Sequence, residues 1–140
     1  MPQPKKPIKD SDYARLLAVR TGLRQFERWS AEQAAGHGLT ASQHQLMLAI
    51  RGHGEPQGPT IGQVAEYLLV KHHSAVELVD RTERAGLVVR ARDADDHRVV
   101  RLRLSPVGRR TLAALTAAHL EELARLIPLF ESLIGTLAEG

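Results

Sequence analysis

Residues 59–108 read PTIGQVAEYLLVKHHSAVELVDRTERAGLVVRARDADDHRVVRLRLSPVG, and this stretch decides the fold. Thr60 with Gln63 forms a Thr-x-x-Gln capping box, the signature of a helix start. Ile61, Val64, Ala65 and Leu68 then share one helical face. After a break at Leu69 to Lys71, a second helix is predicted from His72. Ala75, Leu78, Val79 and Thr82 form its inward stripe, and Gly86 ends it. Beyond Gly86 the period falls to two. Leu87, Val89 and Ala91 alternate with Val88, Arg90 and Arg92, and Val100, Leu102 and Leu104 alternate with Arg101 and Arg103. The acidic run Asp93 to His97 between the two strands reads as a turn, where burial of the acids is not expected. The order is a helix-turn-helix over about 60–85 followed by a basic β-wing over about 87–104. The predicted class is therefore mainly α with a small β-wing. In such a unit the second helix enters the DNA major groove and the wing offers arginine to phosphates or the minor groove.

Working outward, a first helix is expected from about Asp12 to Ala35, with Leu16, Val19, Leu23, Phe26 and Trp29 along one stripe. Thr40 and Gln43 make a second capping box, so the winged unit as a whole is placed at about 40–108. Ser105 and Pro106 open a C-terminal helix. Pro128 should kink or break it, leaving a last segment with Phe130, Leu133, Ile134 and Leu137. The terminal helices, about 11–36 and 106–139, are more apolar than a winged unit needs. They either fill the core of one chain or form a dimer interface. Residues 1–10 read as a loose, proline- and lysine-bearing arm ahead of a single domain over 11–140.

The chain has 140 residues, no cysteine and a net charge of +3. Disulfides and thiolate metal sites are excluded. No apolar run is long enough to span a bilayer and the N-terminus lacks a signal-peptide core, so a cytoplasmic protein without a membrane partner is expected. Charge is unevenly placed. Residues 71–110 carry ten bases against six acids, whereas 111–140 carry one base against four acids. A phosphate backbone would attract the former segment. No glycine-rich phosphate loop, nucleophile elbow or paired His-Glu-x-x-His helix is present, so neither an enzyme nor a cofactor is predicted.

The residue types at the start of the second helix suit nucleic acid. Lys71, His72, His73 and Ser74 offer a cation, ring nitrogens and a hydroxyl beside helix N-terminal amides. Val76 can meet a thymine methyl; Glu77 either accepts from a cytosine amino group or is simply solvated. Arg90, Arg92, Arg101 and Arg103 occupy wing positions from which some should touch phosphates. Arg81 and Arg84 come later in the helix, as intramolecular partners or phosphate clamps.

Three stretches together resemble the MarR family of transcriptional regulators: LTASQHQLMLAI, TIGQVAEYLLVKHHSAVELVDRTERAGLV and RARDADDHRVVRLRLSPVG. Leu78 to Arg81, followed by Ala85 to Val88, resembles that family's reading helix running into its wing. The tip Asp93-Ala94-Asp95-Asp96-His97-Arg98 resembles its Asp-x-x-Asp-Arg-Arg, with His97 in place of the first arginine. Thr82 stands where a leucine is more usual. The resemblance implies a homodimer, with dimerisation helices built from both termini, that binds a palindromic duplex as a repressor. It implies that Arg98, held by Asp96, enters the minor groove. It also implies a small-molecule effector, often aromatic or anionic, for which Arg20, Trp29, His44 and His119 are candidate pocket residues. Two alternatives remain: a protein-interaction module without DNA readout, and a metal-responsive regulator using His44 and His119. No close-spaced ligand motif supports the latter, and no metal site is predicted.

Overall fold

Thr40 and Thr60 each open a helix by the same reciprocal pair of bonds. Thr40 Oγ1 accepts from the Gln43 amide at 3.1 Å while Gln43 Oε1 accepts from the Thr40 amide at 3.0 Å. The Thr60–Gln63 pair repeats this at 3.2 and 2.9 Å. In the computed structural model, which describes residues 1, 2 and 5–138, the order is α1 (Asp10–Gly36), α2 (Ala41–Gly52), α3 (Ile61–Leu68), α4 (His72–Arg84), β1 (Val88–Arg92), β2 (Val100–Leu104) and α5 (Pro106–Ala138). The side chains of residues 129 and 136–138, Leu137 of the expected last segment among them, lie outside the described residues, as does position 139, where the C-terminal segment was expected to finish. The architecture is the predicted one, mainly helical with a two-stranded antiparallel wing.

Two compact units divide the chain: Met1–Ser30 with His119–Gly140, and Ala31–Ala118. The second holds the winged helix. Its core is one cluster in which Leu46 and Met47 of α2, Val64 of α3, Val79 of α4 and Leu102 of β2 are fully buried. At roughly 25 cal/mol per Å² of apolar surface, each such side chain contributes about 1.5–3 kcal/mol. The turn between α3 and α4 is tight because Leu69 adopts φ 55° and ψ 43°, a left-handed conformation rare for a side chain other than glycine. The Val70 amide then reaches back to the Ala65 carbonyl at 3.1 Å and closes the helix end. The loop of residues 53–60 runs against the wing. There the Leu102 amide donates to the Pro59 carbonyl at 2.8 Å. Gly58, at φ +84°, comes so close to β2 that a Cβ would stand 1.9 Å from the Leu102 carbonyl oxygen.

In the first unit, Phe26, Trp29 and His119 form a ring cluster, with Trp29 and His119 centroids 4.8 Å apart. Ser30 Oγ and His119 Nε2 are hydrogen-bonded at 2.6 Å. The Phe130 ring lies over Gly22, its edge 3.5 Å from where a Cβ would sit. This contact belongs to a helix that was expected to end or kink near Pro128. The expectation of a break is corrected: α5 runs through Pro128 to Ala138. Proline removes one backbone donor, but Pro128 is exposed and water can serve the carbonyl that the ring frees. Among the described residues no helix is long and apolar enough to cross a membrane.

Candidate nucleic-acid interface

The inward face of α4 is Ala75, Leu78, Val79 and Thr82, all buried. Thr82, the polar member, donates its hydroxyl to the Leu78 carbonyl at 2.7 Å, so its burial leaves no donor unmet. With that face fixed, 3.6 residues per turn puts Lys71, His72, His73 and Glu77 outside; Ser74 and Val76 are half-buried beside them. Arg81 and Arg84 are exposed further along. The start of α4 differs from those of its neighbours. Side chains cap α2 and α3, and Ser105 Oγ accepts from the Gly108 amide at 3.0 Å at the start of α5. Among the described residues no side chain caps α4, whose N-cap position is Lys71. Its first-turn amides therefore face outward without a protein side-chain acceptor, at the positive end of the helix dipole.

The wing pairs Val88 with Leu104, Arg90 with Leu102 and Arg92 with Val100 on one face, and Val89 with Arg103 and Ala91 with Arg101 on the other. The alternation read from sequence carries one correction: Leu87 and Val88 are both buried, and Val89 is 44% exposed. Leu87 belongs to the junction, its amide bonded to the Thr82 carbonyl at 3.2 Å, so the inward phase of β1 starts at Val88. Arg90 follows Val88 on that face and turns back to α4. Its Nη2 donates to Asp80 Oδ1 and its Nη1 to Glu83 Oε1, each at 2.6 Å. The Asp80 hydrogen bond, helped by Glu83, raises the Arg90 pKa further above its ordinary value. Arg101 is also turned inward, its side chain 17% exposed, with Nη1 3.3 Å from both Glu55 Oε2 and the Gly58 carbonyl. Its Nη2 lies 4.0 Å from Asp93 Oδ2. Arg103 Nε donates to the Gln57 carbonyl at 3.3 Å.

The tip itself points outward. Arg98 Nε and Nη2 donate to the two oxygens of Asp96 at 3.0 Å each, and the Arg98 amide donates to Asp96 Oδ1 at 3.1 Å. The guanidinium holds the Asp96 carboxyl below its ordinary pKa, and its own pKa is raised in return. The Arg98 side chain is nonetheless 90% exposed, so the fork fixes the direction of a charge that stays open to solvent. His97 is exposed beside it, and Arg92 Nη1 donates to the His97 carbonyl at 2.7 Å. The expectation that the acids of this turn escape burial is corrected for Asp93, which is 6% exposed. It sits at the root of the turn, where its amide bonds to the Val99 carbonyl at 2.8 Å and Arg101 lies opposite. Sequence reading missed the supporting groups Asp80, Glu83, Glu55 and Gln57. The last accepts from the Ala94 amide at 2.9 Å.

Of the candidate effector residues, Trp29 and His119 stand together in the first unit, and Arg20 there is exposed. A groove of about 750 Å³ beside Trp29 is lined by Leu17, Phe26, Leu126, Phe130 and Leu133 among others. His44 lies buried in the winged unit, 5% exposed. Among the described residues no three of His, Cys, Asp and Glu gather where they could hold a metal ion.

Residues 37–99, from the end of α1 to the wing tip, match the family model described as the MarR family. Over that stretch the chain is similar to the MarR family. No curated protein matches the chain. Solved structures do. One described as a MarR family transcription regulator superposes with a TM-score of 0.75 at 24% identity, covering 93% of this chain and 84% of that one. A MarR family protein from Bacillus stearothermophilus gives 0.74 at 24%, covering 95% and 97%. The MepR–DNA complex of S. aureus gives 0.68 at 19%, covering 95% and 96%. At these identities the likeness is one of fold. It extends over α1 and α5 as well as the winged helix between them.

Proposed function

We propose that this chain is a transcription regulator that binds a palindromic operator as a homodimer and acts as a repressor under the control of a small-molecule effector. One observation carries the reading. The exposed, uncapped start of α4 opens a MarR-type winged helix whose wing ends in a solvent-facing Arg98. The solved MepR structure that this chain resembles in fold holds DNA. In this reading Lys71, His72, His73 and Ser74 engage phosphates and bases, and Val76 and Glu77 approach base edges. Arg98, aimed by Asp96 and flanked by Arg92 and His97, enters the minor groove. Arg90 and Arg101 serve the same end by holding the wing in place. A second copy is supported by the apolar residues left exposed in the first unit. Leu16, Leu17, Leu120, Ile127 and Ile134 are 50–64% exposed. A stripe of that kind suits a partner chain better than water. Trp29 and His119 are the proposed effector contacts.

Selection from random duplex DNA tests the reading. An enriched inverted repeat is expected, bound with an affinity that falls steeply with salt. Arg98→Ala should lower the affinity about tenfold and reduce the log–log salt slope by about one. Recovery of no enriched site, with the chain folded and dimeric by sedimentation, would favour a winged-helix interaction module instead.

A further inference from the structure

A groove of about 440 Å³ lies at the base of the wing, between the end of α2, the 53–58 loop, β2 and the first turn of α5. Its floor is apolar: Ile50, Leu102 and Leu104 are each at most 6% exposed. Its rim is cationic. Arg51, Arg103 and Arg109 line it from three separate elements and are all exposed. Among the described residues none of the three is in an ion pair. The one acid in the lining, Glu55, is engaged by Arg101 at 3.3 Å. Three exposed arginines alone would be ordinary solvated charge. A second observation points to a ligand. His53 also lines the groove, its side chain only 9% exposed, and its Nε2 is buried without a hydrogen-bond partner. Its Nδ1 is hydrogen-bonded with the Tyr67 hydroxyl at 2.8 Å. When Tyr67 donates to Nδ1, Nε2 carries the proton and lacks an acceptor, since Glu55 Oε1 is 3.7 Å away.

We infer that this groove binds a small anion that carries a carboxylate or phosphate group. The arginine rim takes the anionic group, with His53 as an additional donor. Its volume falls in the usual range of small-molecule pockets, about 300–1,000 Å³. The site is wholly within the winged unit, separate from the Trp29–His119 cluster, and it goes beyond the reading of this chain as a regulator.

The test uses the free, full-length, ¹⁵N-labelled chain without DNA, so its outcome is independent of operator binding. The chain is titrated with phenyl phosphate and with cyclohexanecarboxylate at constant ionic strength, and with neutral cyclohexanol for comparison. Both anions should shift the amides of 50–55 and 102–109 to saturation, and cyclohexanol should not. Arg109→Gln should weaken both anions about tenfold, the ordinary result of losing one charge-assisted contact. Arg110→Gln, an exposed neighbour outside the lining, should leave them unchanged. Native amide spectra establish that both variants fold. Non-saturating shifts, or equal weakening by the two variants, would overturn the site. If Arg109→Gln spared the anions but lowered affinity for random duplex, these arginines would serve DNA phosphates and the inference would fail.

Discussion

Gly58→Ala should cost more than any substitution on the surface of α4, because two effects add at one backbone position. The residue sits at φ +84°, where a Cβ costs about 1–2 kcal/mol. The new methyl would also stand 1.9 Å from the Leu102 carbonyl oxygen, whereas ordinary contact begins near 3.4 Å, so the loop and β2 must separate by more than 1 Å. That separation breaks the 2.8 Å bond from the Leu102 amide to the buried Pro59 carbonyl. Leaving such a pair unmet costs about 1–3 kcal/mol. The sum is about 2–5 kcal/mol, a large share of the roughly 5–15 kcal/mol that holds a domain of this kind together. With a urea m-value of about 1–3 kcal/mol per molar, the midpoint should fall by about 2 M. Gly54→Ala, in the same loop, is the comparison: no atom lies within 4 Å of the place its methyl would take, and its φ is not positive. It should shift the midpoint by less than about 0.3 M. If Gly58→Ala unfolded within about 0.5 M of the parent at an unchanged m-value, the close approach of loop and wing would be refuted.

Three further outcomes are expected. Arg90→Ala removes both contacts that tie β1 to α4, and because the partners are 41–49% exposed the stability loss should stay near 1 kcal/mol after screening by solvent. Its effect on duplex affinity should be larger, since Asp80 and Glu83 are left unneutralised on α4, the proposed reading helix; anisotropy titration showing equal affinity would rule this out. Asp96, whose folded pKa is lowered by Arg98, contributes to wing-tip order above its unfolded pKa and loses that contribution as pH falls through its folded one. Carboxyl ¹³C titration should therefore place its inflection below 3.8, and Arg98→Ala should return it to that value. Leu69→Gly relieves a left-handed backbone at a side chain 91% exposed, so thermal denaturation should show a gain of about 0.5–1 kcal/mol; a loss would mean that the Leu69 side chain itself stabilises the turn.

The features legible in the sequence are the local ones. A capping box spans four residues, so Thr40 and Thr60 announce α2 and α3 without help from the fold. The start of α4 at His72 follows from the phase of Ala75, Leu78 and Val79, and the same phase puts Lys71, His72 and His73 outside. Period-two alternation reveals β1 but not which phase faces inward. That depends on Leu87 being taken up by the junction with α4, and it sends Arg90 toward Asp80. Burial of Asp93 and the inward turn of Arg101 have no local signature either. Glu55 is 46 positions from Arg101, and Gln57 is 37 from Ala94, so chain folding alone brings them together. Pro128 misled because a helix-breaking tendency is a local average, whereas α5 has Phe130 packed over Gly22 beyond it.

A helix begun without a cap frays first from that end, because its leading amides have only water to satisfy them. In α4 those amides belong to the residues that would meet a phosphate. If α4 reads DNA as we propose, its first turn is left for the duplex to complete, and the hydrogen-exchange protection of His72 to Ser74 becomes a measure of occupancy. A threonine in place of Lys71, copying the boxes of α2 and α3, would finish that turn from within. It would trade a more rigid free protein for a smaller gain in order on contact.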